Sequence, residues 1–223
     1  MELIAQYIEI DEPRRVDLCL PDIRPEWRAF HESNEHKISV FAGRQTGKTY
    51  NLALRAVRSQ YDCIIFCHHR STVQIMVDLI MQMSRELPLA RVSSGSGSST
   101  AYIEYENGRR IDIHVLPRDS STFRGRRLMM KEVLFDEFDR EEFGHFIEVM
   151  DYELRQAVHV VCVGSPSMNP TSMGKRWFNQ SGTKYFIDAR YIPFGMEEDY
   201  NRWDFFPSEM RQMIENLPPV DSL

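Results

Sequence analysis

A chain of 223 residues, 42% of them hydrophobic, holds one well-buried domain or two small ones. Its net charge of −6 argues against a module that lives by gripping nucleic acid, which usually carries a basic excess, but not against an enzyme that touches DNA through a small basic patch. No apolar run is long enough to span a bilayer and residues 1–6 carry no secretory pattern. The expectation is therefore a cytosolic chain, neither secreted nor membrane-bound, with Cys19, Cys63, Cys67 and Cys162 as reduced thiols.

Prolines at 13, 21 and 25 interrupt any long helix before Glu26. Residues 25–32 read as a short helix with proline in its first turn, ending in polar Ser33, Asn34 and Glu35. Residues 38–42 are apolar or β-branched, as a buried parallel strand should be. The leucine and alanine content up to Ser59 predicts a helix over 48–59. A second apolar strand spans 61–67. Ser71 or Thr72 can N-cap a helix that runs to Glu86 and stops at Pro88.

Residues 93–99 are serine and glycine, the lowest-complexity stretch. They lead into two alternating segments, 101–106 and 109–116, separated by Asn107-Gly108, which predicts a hairpin with a mobile loop rather than a domain boundary. Residues 120–127 form a polar, basic loop. Further strands are expected at 132–135, 158–163 and 184–192. Helices are expected at 140–150, 173–180 and 208–216. Strands alternating with helices imply an α/β fold with a mostly parallel sheet and helices on both faces.

Three strand ends carry chemistry. The run Gly43, Arg44, Gln45, Thr46, Gly47, Lys48 and Thr49 has the spacing of a nucleotide-phosphate cradle, with Ala42 where the first glycine usually stands. Gly47 lets the backbone approach phosphate oxygens. Successive N–H groups and the start of the next helix supply positive potential. Lys48 places a compact cation on the terminal phosphates, and the Thr49 hydroxyl can complete a Mg2+ shell. The strand ending in Asp136 and Glu137 supplies the second part. At the C-terminal edge of a parallel sheet Asp136 can hold Mg2+, and Glu137 can orient and deprotonate water, which points to hydrolysis. In the third part, Ser165 ends an apolar strand and can sense the γ-phosphate and pass on its loss.

With these three parts the chain resembles the ATPase domain of the terminase large subunit, the DNA-packaging motor of tailed bacteriophages. The resemblance covers about residues 20–217. It rests on Phe30-His31-Glu32-Ser33, the run from Gly43 to Thr49, Phe123-Arg124-Gly125, Asp136-Glu137 and Gly164-Ser165-Pro166. It implies a RecA-like P-loop fold with an added strand in the sheet, ATP and Mg2+ as ligands, and a ring of subunits on a portal protein. Double-stranded DNA is the implied substrate and the terminase small subunit a further partner, in the host cytoplasm. Arg44 would act on the nucleotide within its own subunit. Arg155 matches the position of a second arginine that acts from a neighbouring subunit. Trp27 stands where the family has a glutamine that reads adenine. An indole can stack on a base but cannot make the paired hydrogen bonds of an amide, so weak discrimination between ATP and GTP is expected. The implied organisation is a segment on the adenine side (1–37), an ATPase core (38–192) and a lid or linker (193–223). The family's nuclease domain is absent, which reads as a fragment or as a separately encoded nuclease.

Cys63, Cys67, His68 and His69 lack the second ligand pair of a structural zinc site, and on a strand the two cysteines face the core. Arg124, Arg126, Arg127 and Lys131 are the most basic cluster. DNA contact is one reading of the three arginines, and a solvated loop explains them equally well. Two rivals remain beside the packaging ATPase. A helicase-type ATPase would need a second RecA-like domain. Against a nucleotide-binding assembly switch without turnover stand the intact Glu137, Lys48 and Arg44.

Overall fold

The computed structural model of the chain describes residues 23–42, 46–95, 98–117, 123, 128–138, 141–165 and 183–187, apart from the side chains of 141, 142, 144 and 186. The described elements are α1 (Pro25–Glu32), β1 (Lys37–Ala42), α2 (Lys48–Arg58), β2 (Asp62–Cys67), α3 (Arg70–Met83), β3 (Leu89–Ser93), β4 (Thr100–Tyr105), β5 (Arg110–Val115), β6 (Lys131–Asp136), α4 (Glu141–Val149), α5 (Asp151–Leu154), β7 (His159–Gly164) and β8 (Thr183–Ile187). The strands form one eight-stranded sheet in the order β3-β4-β5-β2-β6-β7-β1-β8. The pairings β5–β2–β6–β7–β1–β8 are parallel, and β4 pairs antiparallel with both neighbours. Among the described strands only β4 therefore runs against the rest.

Strand alternation divides the interior into two cores, one on each face of the sheet. Cys63, Ile65 and Cys67 of β2, with Ile38 and Val40 of β1, meet Trp27, Phe30, Leu52, Ala56, Val73 and Met76 on the face covered by α1, α2 and α3. Ile64 and Phe66 of β2, with Val133 and Phe135 of β6, meet Phe143, Phe146 and Leu154 on the face covered by α4 and α5. In that second core Phe66 lies 5.2 Å from Phe135 and 4.9 Å from Phe146, ring centre to ring centre. Burying each such ring contributes about 2–3 kcal/mol. The cluster fixes the strand end from which Asp136 projects.

The hairpin forms around Asn107-Gly108 as expected. Gly108 has a positive φ of 79°, its N–H donates to the Tyr105 carbonyl at 2.9 Å, and β4 pairs with β5 from Thr100↔His114 to Glu104↔Arg110. Arg109 then reaches α2, where its Nη1 donates to the carbonyls of Ala56 at 2.8 Å and Ser59 at 2.7 Å. Its guanidinium lies 4.3 Å from the centre of the Tyr105 ring. The hairpin thus satisfies orphan carbonyls at the C-terminal end of the helix whose other end is the cradle.

Several elements depart from the expectations. The sequence reading passed over β3, an edge strand that is mostly exposed and so lacks alternation. Helix α3 starts at Arg70, with His69 as N-cap and no side-chain cap, so neither Ser71 nor Thr72 caps it. It ends at Met83, where the buried Ser84 hydroxyl turns to the Tyr105 hydroxyl at 2.8 Å. The short helix α5 was also not foreseen. The helices expected at 173–180 and 208–216 lie outside the described residues, as does the segment 193–223. Among the described residues no helix is long and apolar enough to cross a membrane.

Candidate nucleotide-binding and hydrolysis site

Parallel strands place their C-terminal ends on one edge. The register runs Phe41↔Gly164 between β1 and β7 and Asp136↔Val163 between β6 and β7. The cradle strand and the acidic strand are therefore not neighbours, because β7 stands between them. The ends at Ala42, Asp136 and Gly164 share one edge, which is the crevice of an α/β sheet. Ser165, directly after Gly164, stands beside the start of the cradle.

Gly43, Arg44 and Gln45 lie outside the described residues. Beyond them, Gly47 adopts φ 87° and ψ 25°, the left-handed region that glycine enters without steric cost, and α2 starts at Lys48. A Cβ at Gly47 would come within 3.2 Å of Asn51 Nδ2. Lys48 Nζ donates to the Ala42 carbonyl at 3.3 Å, which keeps the ammonium over the cradle. Thr49 Oγ1 donates to Asp136 Oδ2 at 3.2 Å and so joins the cradle to the acidic strand.

Asp136 is 1% exposed, and its Oδ1 is buried without a hydrogen-bond partner. Burial, and then the charge of adjacent Glu137, push its carboxyl up to about 6. A buried carboxylate oxygen without a donor, next to a threonine hydroxyl, is a donor set that suits a hard divalent cation with oxygen ligands, so these two residues fit Mg2+. The same carboxylates raise the buried Cys67 thiol, which desolvation already disfavours as thiolate. Glu137 is one of two non-glycine residues among those described with positive φ, at 59°. That conformation costs about 1–3 kcal/mol and persists where the surroundings impose it. The next amide, Phe138 N–H, donates to the Val163 carbonyl at 3.4 Å and ties this turn back to β7.

The expected role of Trp27 needs correction. The indole is fully buried among core residues, and its edge meets the Phe30 ring at 5.4 Å. It presents no exposed face for a base. Its Nε1–H instead donates to the Thr46 carbonyl at 3.0 Å, inside the cradle. Trp27 and Phe30, three residues apart on α1, fall on the face that meets the core.

Arg155 is placed away from this edge. It follows α5, and its side chain is 70% exposed and bonded to Asp151 at 2.5 Å. Val158, three residues later, donates to the carbonyl of Lys131, the first residue of β6. Arg155 therefore stands by the edge where strands begin, and the length of β7, about 17 Å, separates that edge from the cradle. Within one subunit it does not reach the site. Arg124, Arg126 and Arg127 lie outside the described residues. Lys131, grouped with them, bonds to Asp62 at 3.4 Å.

Two buried polar residues of α2, Asn51 beside the cradle and Arg55 one turn farther along, escaped the sequence reading. Asn51 is 2% exposed and donates through Nδ2 to the Gly47 carbonyl at 2.9 Å. Its Oδ1 lies 3.0 Å from His31 Nε2. Arg55, one turn on, binds Glu132 at 2.6 Å and the carbonyls of Phe30 at 2.5 Å and Ser33 at 3.1 Å. The available signal was Asn51 and Arg55 at helical spacing within an otherwise apolar face.

No protein-family profile matches the chain. No curated protein sequence matches it either. Solved structures do. The ATPase domain of the large terminase of a Thermus phage superposes with a TM-score of 0.52 at 15% identity, over 86% of this chain and 92% of that one. The large terminase of a thermophilic bacteriophage gives 0.55 at 11% identity, over 80% of this chain and 48% of that one. The complex of that second terminase with ADP gives 0.55 at 12% identity, over 80% and 47%. The chain thus spans about half the length of the second terminase. At these identities the likeness establishes architecture alone. The chain has the RecA-like α/β fold of the phage large terminase ATPase domains.

Proposed function

We propose that this chain hydrolyses ATP and that hydrolysis drives double-stranded viral DNA into a procapsid. The observation that carries the reading is the Thr49–Asp136 bond, which joins a phosphate cradle to a carboxylate with an orphaned oxygen at one sheet edge. The fold likeness to large terminase ATPase domains, one of them solved with ADP, supports the same reading.

In this proposal the Lys48 ammonium and the N–H groups at the start of α2 hold the phosphates. Thr49 and Asp136 hold Mg2+, whose contribution when bound is to offset charge on the phosphate oxygens. Glu137 takes a proton from a water whose oxygen bonds to the γ-phosphorus as the bond to the β-phosphate oxygen breaks. The products are ADP and inorganic phosphate. Arg44 adds a guanidinium to that charge within the subunit. Arg155, exposed and remote from its own cradle, acts only on a neighbouring subunit whose catalytic edge approaches the edge where these strands begin. Ser165, beside the cradle, passes the loss of phosphate to the following segment. Arg124, Arg126 and Arg127 contact DNA. The partners are the portal protein, on which the subunits form a ring, and the terminase small subunit.

The test is phosphate release from ATP by the purified chain, with and without linear double-stranded DNA. Release that DNA accelerates supports a translocating motor. Release that DNA leaves unchanged rejects the coupling to DNA, and no release rejects the ATPase.

A further inference from the structure

The cradle works only if successive backbone N–H groups point at one place. A trans peptide directs its carbonyl and its N–H to opposite sides, and the described residues contain no cis peptide bond. Whatever holds the carbonyl of Thr46 on one side therefore sends the N–H of Gly47 to the other. The same holds for the Gly47 carbonyl and the Lys48 N–H. Both carbonyls are held. Trp27 Nε1–H donates to the Thr46 oxygen at 3.0 Å. The Gly47 oxygen accepts from Asn51 Nδ2 at 2.9 Å and from the Asn51 backbone N–H at 2.8 Å.

The orientation of Asn51 then follows. The Gly47 oxygen only accepts, so the amide nitrogen of Asn51 must face it and Oδ1 must face His31. His31 Nε2, 3.0 Å away, therefore carries the proton and donates. Both His31 and Trp27 belong to α1, which otherwise meets the core through Trp27 and Phe30.

We propose that α1 sets the cradle: Trp27 through Thr46, and His31 through Asn51 and Gly47, turn two successive carbonyls inward so that the Gly47 and Lys48 N–H groups face the phosphates. Trp27, His31 and Asn51 are positioning residues, and none needs to touch the nucleotide. By linkage, phosphate binding in turn holds α1 in place. This deepens the proposed ATP site and rests on that reading.

The experiment has two readouts, ADP affinity by calorimetry and amide hydrogen exchange of residues 25–32 with and without ADP. For wild type, binding is expected together with slower exchange of α1. Trp27→Phe keeps an aromatic ring but loses the donor, and should weaken ADP about two- to tenfold and lose the added protection of α1. His31→Leu should do the same, whereas His31→Gln, whose amide can stand in for Nε2–H, should restore most of the affinity. In turnover, the loss should fall more on KM than on kcat. Variants that bind ADP as tightly as wild type while α1 gains the same protection overturn the proposal, as does a glutamine variant no better than the leucine one. Wild-type chain that binds no ADP overturns the nucleotide-site reading and this proposal with it.

Discussion

The Arg55 guanidinium, 7% exposed, donates to the Glu132 carboxylate, 3% exposed, at 2.6 Å, and this buried pair joins the cradle helix α2 to the acidic strand β6. Arg55 also holds the Phe30 and Ser33 carbonyls, so the same residue ties in α1. Removing one partner leaves a buried charge without compensation. Arg55→Ala or Glu132→Ala should each cost about 3–5 kcal/mol of stability. The double change to Met and Leu should cost less than the sum of the singles. Urea denaturation of the four proteins checks this, and single variants within about 1 kcal/mol of wild type would contradict it.

Lys48→Ala and Thr49→Ala should separate two parts of binding. The lysine variant leaves phosphate charge without its cation and should lose ATP and ADP binding in magnesium and in excess chelator alike. The threonine variant removes one oxygen ligand and should lose affinity mainly with magnesium present. Calorimetry with and without chelator distinguishes them. Equal losses in both conditions for Thr49→Ala would remove it from the metal shell.

His31 predicts a pH effect. Burial, then the charges of Arg55 and Arg58 on α2, lower its pKa to about 4, against the raising effects of Asn51 and Glu132. The unfolded chain binds a proton near 6.5, before the folded one does, so stability falls as pH drops from 6.5 toward 4. The loss is up to roughly 3 kcal/mol. Asp136 shifts upward and acts in the opposite sense over part of that range. Comparison with His31→Gln cancels that contribution. The stability of wild type relative to the glutamine variant should fall between pH 6.5 and 4, and a constant difference would contradict the reading.

Arg155 is an exposed i,i+4 partner of Asp151, so Arg155→Ala should change stability by under about 1 kcal/mol. It should leave the ADP affinity of the isolated subunit close to wild type, because β7 separates it from its own cradle. If it acts on a neighbour, turnover per subunit should rise with protein concentration in wild type and stay flat in the variant. A variant that rises as wild type does would end the trans role.

What was legible in the sequence was local. The Gly47-Lys48-Thr49 run before a helix, the apolar strand ending in Asp136 and Glu137, and Asn107-Gly108 between alternating segments each carry their signal within a few residues. The sheet edge that unites Ala42, Asp136 and Gly164 follows from parallel order, but the place of β7 between β1 and β6 is seen only in the sheet itself. The buried polar contacts were not legible, because they depend on tertiary packing. Nothing near Trp27 shows that its indole meets Thr46, and nothing near Arg109 shows that it reaches Ala56. Arg155 was expected to act on a neighbouring subunit from its place before a strand; that strand direction puts it at the edge away from its own cradle could be read only from the sheet.

The central claim is that the edge formed by Lys48, Thr49, Asp136 and Glu137 hydrolyses ATP. Single-turnover hydrolysis by wild type and Glu137→Gln, with enzyme in excess over radiolabelled ATP and magnesium, tests it most directly. The account predicts that both proteins bind the nucleotide with similar affinity and that the glutamine variant is slower by about 10²–10⁴, the usual contribution of a general base. Hydrolysis by Glu137→Gln at the wild-type rate, or no hydrolysis by wild type, would contradict it.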